Sequence, residues 1–401
     1  MKILGFEINR TPQEKMTSRS INDDLDDMSN SQSYAGMRST PSTAQKVVAV
    51  AACIKVISET ISQISIDIYK STDNGREFFP KHPAYPLLKN SPNELMSSAI
   101  FHQVMMSNSL IYGNAYALIV KDARQNPTEL ILLNPSQVEV KYDEVSRKLF
   151  YRVQNYKQDF QPYEIIHVKG ASKDGIIGLS PLSEFADAIG LGIAQQVYAS
   201  KFFANGANMN AVVTSPKPLT IDQVRNVRNM FRQSYGGVKN SNSVGVLPDG
   251  MDIRTISSNP VTSQLLESRI FTITEISRIF RVPLHMINEL THATFSNIEH
   301  QDLEFVKYTL MPWVRKFEQE YNSKLFKESE KNNLFARFNI ESLMRGDTIN
   351  RTQMYTQAIQ NGWLSRNEVR QLEGFNKYEG GDEYLYPMNM QIEGKEPENK
   401  I

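Results

Sequence analysis

The chain has 401 residues, 40% hydrophobic and 22% charged, enough for two or three ordinary domains with a sizeable core. Lys plus Arg and Asp plus Glu both number 44, giving a formal net charge of zero. A tight, sequence-independent nucleic-acid binder needs a basic excess to neutralise phosphates, so the balance excludes that class and leaves only local or weak DNA contact.

A single cysteine, Cys53, rules out a disulfide framework or a cysteine-based zinc site within one subunit, and is expected to be a buried thiol. The most apolar stretch, residues 47 to 57, contains Lys55 and is far shorter than the roughly 20 residues of a bilayer span. With no signal-peptide core at the N-terminus, the expectation is a soluble, unsecreted chain with no membrane contact.

Residues 13 to 45 are rich in Ser, Asn and Asp without periodicity and are expected to form a mobile arm. At Pro41 the character changes. A cap residue there precedes Val47, Val50, Ile54, Ile57 and Ile61 at helical spacing, and "ISIDIYKS" then alternates as a strand does. A helix is expected over 97 to 107. The short alternating runs "NAYALIVKD", "ELILLNPSQVEVKYD", "KLFYRVQ" and "EIIHVKG" predict an antiparallel sheet, so the first half reads as α+β.

The second half opens with a helix over 180 to 207, capped by Ser180 with Pro181 at its first position. A compact insert follows: strand "NAVVTS", a helix starting at Thr220 and stopping at Gly236-Gly237, and a strand pair in "SVGVLPDGMDIRTIS". The next helix, about Ser263 to Arg281, carries Leu266, Ile270, Ile273, Ile276 and Phe280 on one face. Pro283 ends it, and Ser296 or Asn297 can cap the following one, leaving a loop of about fourteen residues, a length usually tied to function. In that following helix Leu303, Val306, Leu310, Phe317 and Tyr321 recur at helical spacing. Pro312 should bend it near Tyr308, and Trp313 is expected to be buried. A strand in "LFARFNIESL", two short helices and a polar tail complete the chain.

Few motifs carry chemistry. There is no GxxxxGK[ST] loop and no GxGxxG after a strand, so no nucleotide or other cofactor is expected, and "GIIGLSP" reads as a turn entering a helix. His285, His292 and His300 are separated by seven and eight residues rather than the i, i+4 spacing of a helical metal site, so solvated or locally hydrogen-bonded imidazoles are expected and no metal. Glu299, Asp302 and Glu304 read as an acidic first turn suited to the helix dipole. Gly190 and Gly192 each cost about 1 kcal/mol inside a helix. Close packing within one subunit or against a neighbouring copy would each explain them. Arg225, Arg228 and Arg232 share one face of the insert helix, which is either solvated or offered to a partner.

The order of these elements resembles the portal proteins of tailed double-stranded-DNA bacteriophages. The matching stretches are "AVAACIKVISETISQISIDIYK", "LLKNSPNELMSSAIFHQVMMSNSLIYGNAYALIVKD", "LILLNPSQVEV", "EIIHVKG", "DGIIGLSPL", "SRIFTITEISRIFRVPLHMI" and "FSNIEHQDLEFVKYTLMPWVRKFEQEYN", within residues 45 to 375.

The resemblance implies an α+β portal-type subunit. Its wing would be 44–179 and 298–346, the latter including a long bent helix. Stem helices would be 180–205 and 261–282, with a clip at 206–260, a tunnel loop at 283–297 and a helical crown at 347–378. An N-terminal arm, 1–43, and a tail, 379–401, fall outside it.

The implied role is a ring, usually of twelve subunits, at one capsid vertex of the virion, assembled in the host cytoplasm. The implied partners are further copies of itself, double-stranded DNA in the channel, a terminase motor, major capsid or scaffolding protein, and head-completion or tail adaptor proteins. In such a ring His285, Asn288, Glu289, His292 and Thr294 would face DNA, Arg225, Arg228 and Arg232 would meet clip partners, and Gly190 and Gly192 would pack stems. A buried helix–helix connector without DNA contact is the plainer reading of 283–297. A phage-encoded, metal-dependent nuclease or hydrolase is the rival function, although no clustered acidic motif supports it.

Overall fold

A computed structural model describes residues 17–20, 36, 40–73, 75–143, 147–204, 211–216, 218–235, 250–255, 261–288, 295–340, 343 and 348–385. Two compact units divide the chain, Met1–Phe338 and Asn339–Ile401.

The first unit begins with strand β1, Thr17–Ser20, paired antiparallel with β6, Val138–Asp143. This part of the expected arm is therefore strand, because its backbone groups complete a sheet edge. The expected single helix after Pro41 is two. Thr40 caps α1, Pro41–Ala44, in a capping box, and α2, Val48–Gln63, starts afresh at Val47 without a side-chain cap. Val47, Val50, Ile54, Ile57 and Ile61 are all buried.

Strands β2, Ile66–Thr72, and β3, Gly75–Phe78, form a sheet with β12, Leu334–Phe338, in the order β12-β2-β3. Helices α3, Ala84–Lys89, and α4, Ser98–Tyr112, follow. The expected single antiparallel sheet is instead two. One has the order β5-β4-β9, with β4 Asn114–Lys121, β5 Pro127–Leu133 and β9 Ile165–Lys169; the other runs β1-β6-β7-β8, with β7 Lys148–Val153 and β8 Asp159–Phe160. The chain leaves one for the other at Asn134-Pro135, where a 3-10 turn over Pro135–Gln137 is capped by the Asn134 side chain. Tyr116, Leu133, Val140, Tyr151 and Phe160 pack into a shared core.

Gly178, the second glycine of "GIIGLSP", has a structural use. Gly113 has φ +73°, and a Cβ on either Gly113 or Gly178 would collide with the other segment's backbone. Asn114 locks this approach, donating from Nδ2 to the Gly178 carbonyl at 2.6 Å and accepting from its N–H at 2.7 Å.

Helix α10, Met311–Lys324, buries Val314, Phe317 and Tyr321. Its polar side chains then do for two sheets what a further strand would do. On one row Lys316 donates to the carbonyls of Lys169 and Gly170 at 2.8 and 2.9 Å, Glu320 accepts the His167 N–H at 2.8 Å, and Lys324 donates to the Ile165 carbonyl at 2.6 Å. Ile165, His167 and Lys169 are alternate residues of edge strand β9, and Gly170 directly follows it. On a second row Glu318 accepts the Phe338 N–H at 2.9 Å and Asn322 the Ala336 N–H at 2.7 Å, on edge strand β12. Edge groups that would otherwise invite another chain are thus occupied. Burial lowers the pKa of Lys316 and Lys324 and raises that of Glu318.

One expectation gains detail here and one changes. Ahead of Pro312, in the region expected to bend, Phe305–Leu310 winds as a π-helical turn, and the Met311 N–H bonds to the Val306 carbonyl. The wider turn absorbs the donor that proline lacks. Trp313 is only half-buried, with the Lys316 ammonium 4.6 Å from its ring centre, because the inward face belongs to Val314 and Phe317.

In the second unit, α11, Thr348–Gln360, and α12, Arg366–Leu372, match the two expected short helices. Order extends beyond the expected crown boundary at 378. The buried Asn367 side chain donates to the Tyr378 carbonyl at 2.8 Å and accepts its N–H at 3.0 Å, and Tyr384 donates to Glu368 at 3.1 Å.

Candidate functional site

The expected helix over 180–205 is interrupted. Ser180 caps a first turn, α5, Pro181–Glu184, which ends at Phe185, and α6 runs Ala186–Ala204. Helix α8, Val261–Phe280, packs beside it. Gly190 and Gly192 are both buried. A Cβ on Gly192 would stand 3.4 Å from methyls of Thr272 on α8 and of Val47, so this glycine faces neighbours within its own chain. Gln195 Nε2 donates to Ser268 Oγ at 2.7 Å and ties the pair.

The α8 stripe divides. Ile276 and Phe280 are buried, whereas Leu266 and Ile270 are 58% and 43% exposed, and Phe271 beside them is 54% exposed. On α6, Leu191 and Tyr198, seven residues apart, are exposed as well.

Helix α8 ends at Arg281, whose φ is +55°, and Ser277 Oγ donates to the Val282 carbonyl at 2.6 Å. After Pro283 the chain makes a 3-10 turn, Leu284–Ile287, and stops at Asn288 in the left-handed region. The next helix, α9, Phe295–Glu304, already includes Ser296 and Asn297, so neither caps it, and Asp302 lies beyond its first turn. The connection between the two α-helices, residues 281 to 294, keeps the expected length of fourteen residues, shifted two residues towards the N-terminus and with the 3-10 turn in its first half. Glu289, His292 and Thr294 lie outside the described residues; Asn288 is exposed, and Leu284, Met286 and Ile287 are half-buried.

His285 is turned onto α9. Its Nε2 donates to the Asp302 carboxylate at 2.8 Å, and its Nδ1 lies 2.9 Å from Gln301 Oε1. The acid expected to serve the helix dipole instead holds an imidazole. Thr309, in the π-helical turn, donates to the Arg281 carbonyl at 2.6 Å.

The insert consists of β10, Ala211–Thr214, paired antiparallel with β11, Asp252–Thr255, and α7, Ile221–Tyr235. Thr220 and Gln223 cap α7 reciprocally. The Gly236-Gly237 stop and the first strand of the expected pair, in 243–247, lie outside the described residues. Arg225 and Arg228 are exposed, Arg225 lying 3.8 Å from Asp222; of Arg232 only the helical backbone is described. Ile221, 75% exposed, and Val224 are also open to solvent.

Sequence reading passed over the other three histidines, which are structural. His102 donates from Nδ1 to the Ser98 carbonyl at 2.7 Å and accepts the Tyr321 hydroxyl at Nε2 at 2.8 Å; burial pushes its pKa down to about 4. His167 donates to Asn114 Oδ1 at 2.9 Å, accepts from the Tyr151 hydroxyl at 3.0 Å, and is held well below its ordinary pKa by burial. His82 is buried over Phe326 beside Glu330. Their partners lie far off in sequence, so no local spacing announces them. Cys53 is buried, its pKa raised to about 12. Among the described residues no group of three or more His, Cys, Asp or Glu side chains could hold a metal ion, and no helix is long and apolar enough to cross a membrane.

The family model for phage portal proteins matches residues 48–374. A probable portal protein of Streptomyces phage phiC31 is 32% identical over 91% of this chain and 82% of its own. The crystal structure of a HK97 family phage portal protein from Corynebacterium diphtheriae is 15% identical, with a TM-score of 0.58 over 77% of this chain and 98% of that one. A structure described as the neck of a native gene transfer agent particle, computed with C12 symmetry, is 19% identical, with a TM-score of 0.53 over 82% of this chain and 91% of that one.

Proposed function

The chain belongs to the phage portal protein family, and on that premise we propose that its copies close into the ring-shaped channel at one capsid vertex. DNA enters through this channel under a separate terminase motor and later leaves by it, and head-completion and tail proteins attach to the ring. The family match over residues 48–374 carries this reading, and the family is a structural rather than an enzymatic one. No observation favours the nuclease alternative.

The split stripe of α8 supplies the physical counterpart. Leu266, Ile270 and Phe271, with Leu191 and Tyr198 on α6, leave apolar surface open beside two packed helices, where a neighbouring copy would cover it. The wing is then 44–179 with 298–346, the stem α6 with α8, and the clip the β10-α7-β11 insert. The crown is the second unit's helices. Twelve is the copy number proposed, the count usual for this family. Asn288, Glu289, His292 and Thr294 belong to the stretch facing DNA, and Arg225, Arg228 and Arg232 to the face offered to motor or adaptor proteins. Zero net charge suits a conduit, because each neutralised phosphate adds drag.

The test is light scattering with negative-stain imaging over a range of protein and salt concentrations. Closed rings are expected, and monomers under every condition would overturn the reading.

A further inference from the structure

We infer that His285 is a positioning residue: with Asp302 and Gln301 it forms a clasp that fixes the 3-10 turn after α8 to helix α9, and it does not itself touch DNA. The inference rests on the portal reading and refines the role of one residue in the stretch assigned to the channel. Three observations carry it. Both ring nitrogens are already committed, at 2.8 Å to Asp302 and 2.9 Å to Gln301. The His285 side chain is only 11% exposed, whereas Asn288, three residues on, is exposed in a left-handed turn.

A second tie, from Thr309 to the Arg281 carbonyl, joins the residue that ends α8 to the π-helical turn that follows α9. The chain before Asn288 is thereby joined to the chain after Phe295 at two places, 285 to 301 and 302, and 281 to 309. Two cross-links remove much of the relative freedom of the turn and the helical segment it is tied to. Because a carboxylate only accepts, Nε2 must carry the proton. Nδ1 can donate to Gln301 Oε1, or accept from its amide after a flip, so the clasp closes with the imidazole charged or neutral.

The clasp and a DNA contact by His285 make opposite predictions for Asp302. Phage lacking this gene would be complemented with variants, and nuclease-protected genomes counted per assembled head. His285→Ala and Asp302→Ala are each expected to lower that count at least about tenfold with ring number unchanged, the double variant being no worse than either. Asp302→Asn keeps an acceptor oxygen and should package normally.

Wild-type packaging by Asp302→Ala, additive losses in the double variant, or failure of Asp302→Asn would each overturn the clasp. Where a variant forms no rings, hydrogen exchange at 284–288 in the soluble subunit decides: faster exchange in both alanine variants supports the clasp, and unchanged exchange overturns it. A variant shortened over 288–293 separates the two proposals. Normal packaging by it sinks the channel role of that stretch, while the exchange readout still judges the clasp.

Discussion

Helices α10 and α8 each carry an apolar stripe at helical spacing, yet they meet very different surroundings. On α10, Val314, Phe317 and Tyr321 are buried, and Lys316, Glu318, Glu320, Asn322 and Lys324 are all bonded to strand edges of the same chain. On α8 the C-terminal part of the stripe is buried, while Leu266 and Ile270 remain open. The first region is finished within one subunit. The second has surface left over, which is where we propose a neighbouring copy packs.

The comparison breaks most directly at Phe317. Phe317→Ala should cost about 3–5 kcal/mol in urea unfolding, the range for deleting a fully buried aromatic ring. Trp313→Ala, on the half-buried side of the same helix, should cost about 1 kcal/mol, since little packed volume is vacated. Equal losses at the two positions would show that the inward face is misassigned.

Acid should attack the finished region next. His102 is folded in neutral with a pKa of about 4 against an ordinary 6.5, so the unfolded chain binds the additional proton between those values. Its contribution is complete above about pH 6.5 and is lost as pH falls toward 4, amounting to roughly 2 kcal/mol by pH 5. Burial holds His167 lower still, which adds to the same trend. Unfolding at pH 7 and pH 5 measures it, and a flat profile would mean that the His102–Tyr321 contact opens to solvent.

The unfinished region should respond in the opposite sense. Leu266→Ser with Ile270→Ser should change subunit stability by no more than about 0.5 kcal/mol, as exposed positions usually do. The same change should prevent ring closure in light scattering. Loss of stability without loss of rings would place this stripe inside the subunit.

Much of this was legible from residues alone. The stripe from Val47 to Ile61, the Ser180 cap followed by Pro181, the capped insert helix and the two short C-terminal helices follow from spacing and capping chemistry, which act over a few residues. The order of elements also sufficed for the family resemblance. Tertiary structure decided what depends on distant partners. Lys316, Glu320 and Lys324, at i, i+4 and i+8, share one helix face, and only the approach of β9 makes them its edge partners. His102 meets Tyr321 across 219 positions, Asp302 turns from dipole ligand to clasp, and the missing donor of Pro312 is absorbed by a wider turn. Even the α8 stripe, visible in sequence from Leu266 to Phe280, was divided into covered and open halves only by how far the rest of the chain packs along it. Spacing fixes which side chains share a face, but burial and hydrogen bonding depend on what the rest of the chain brings against it.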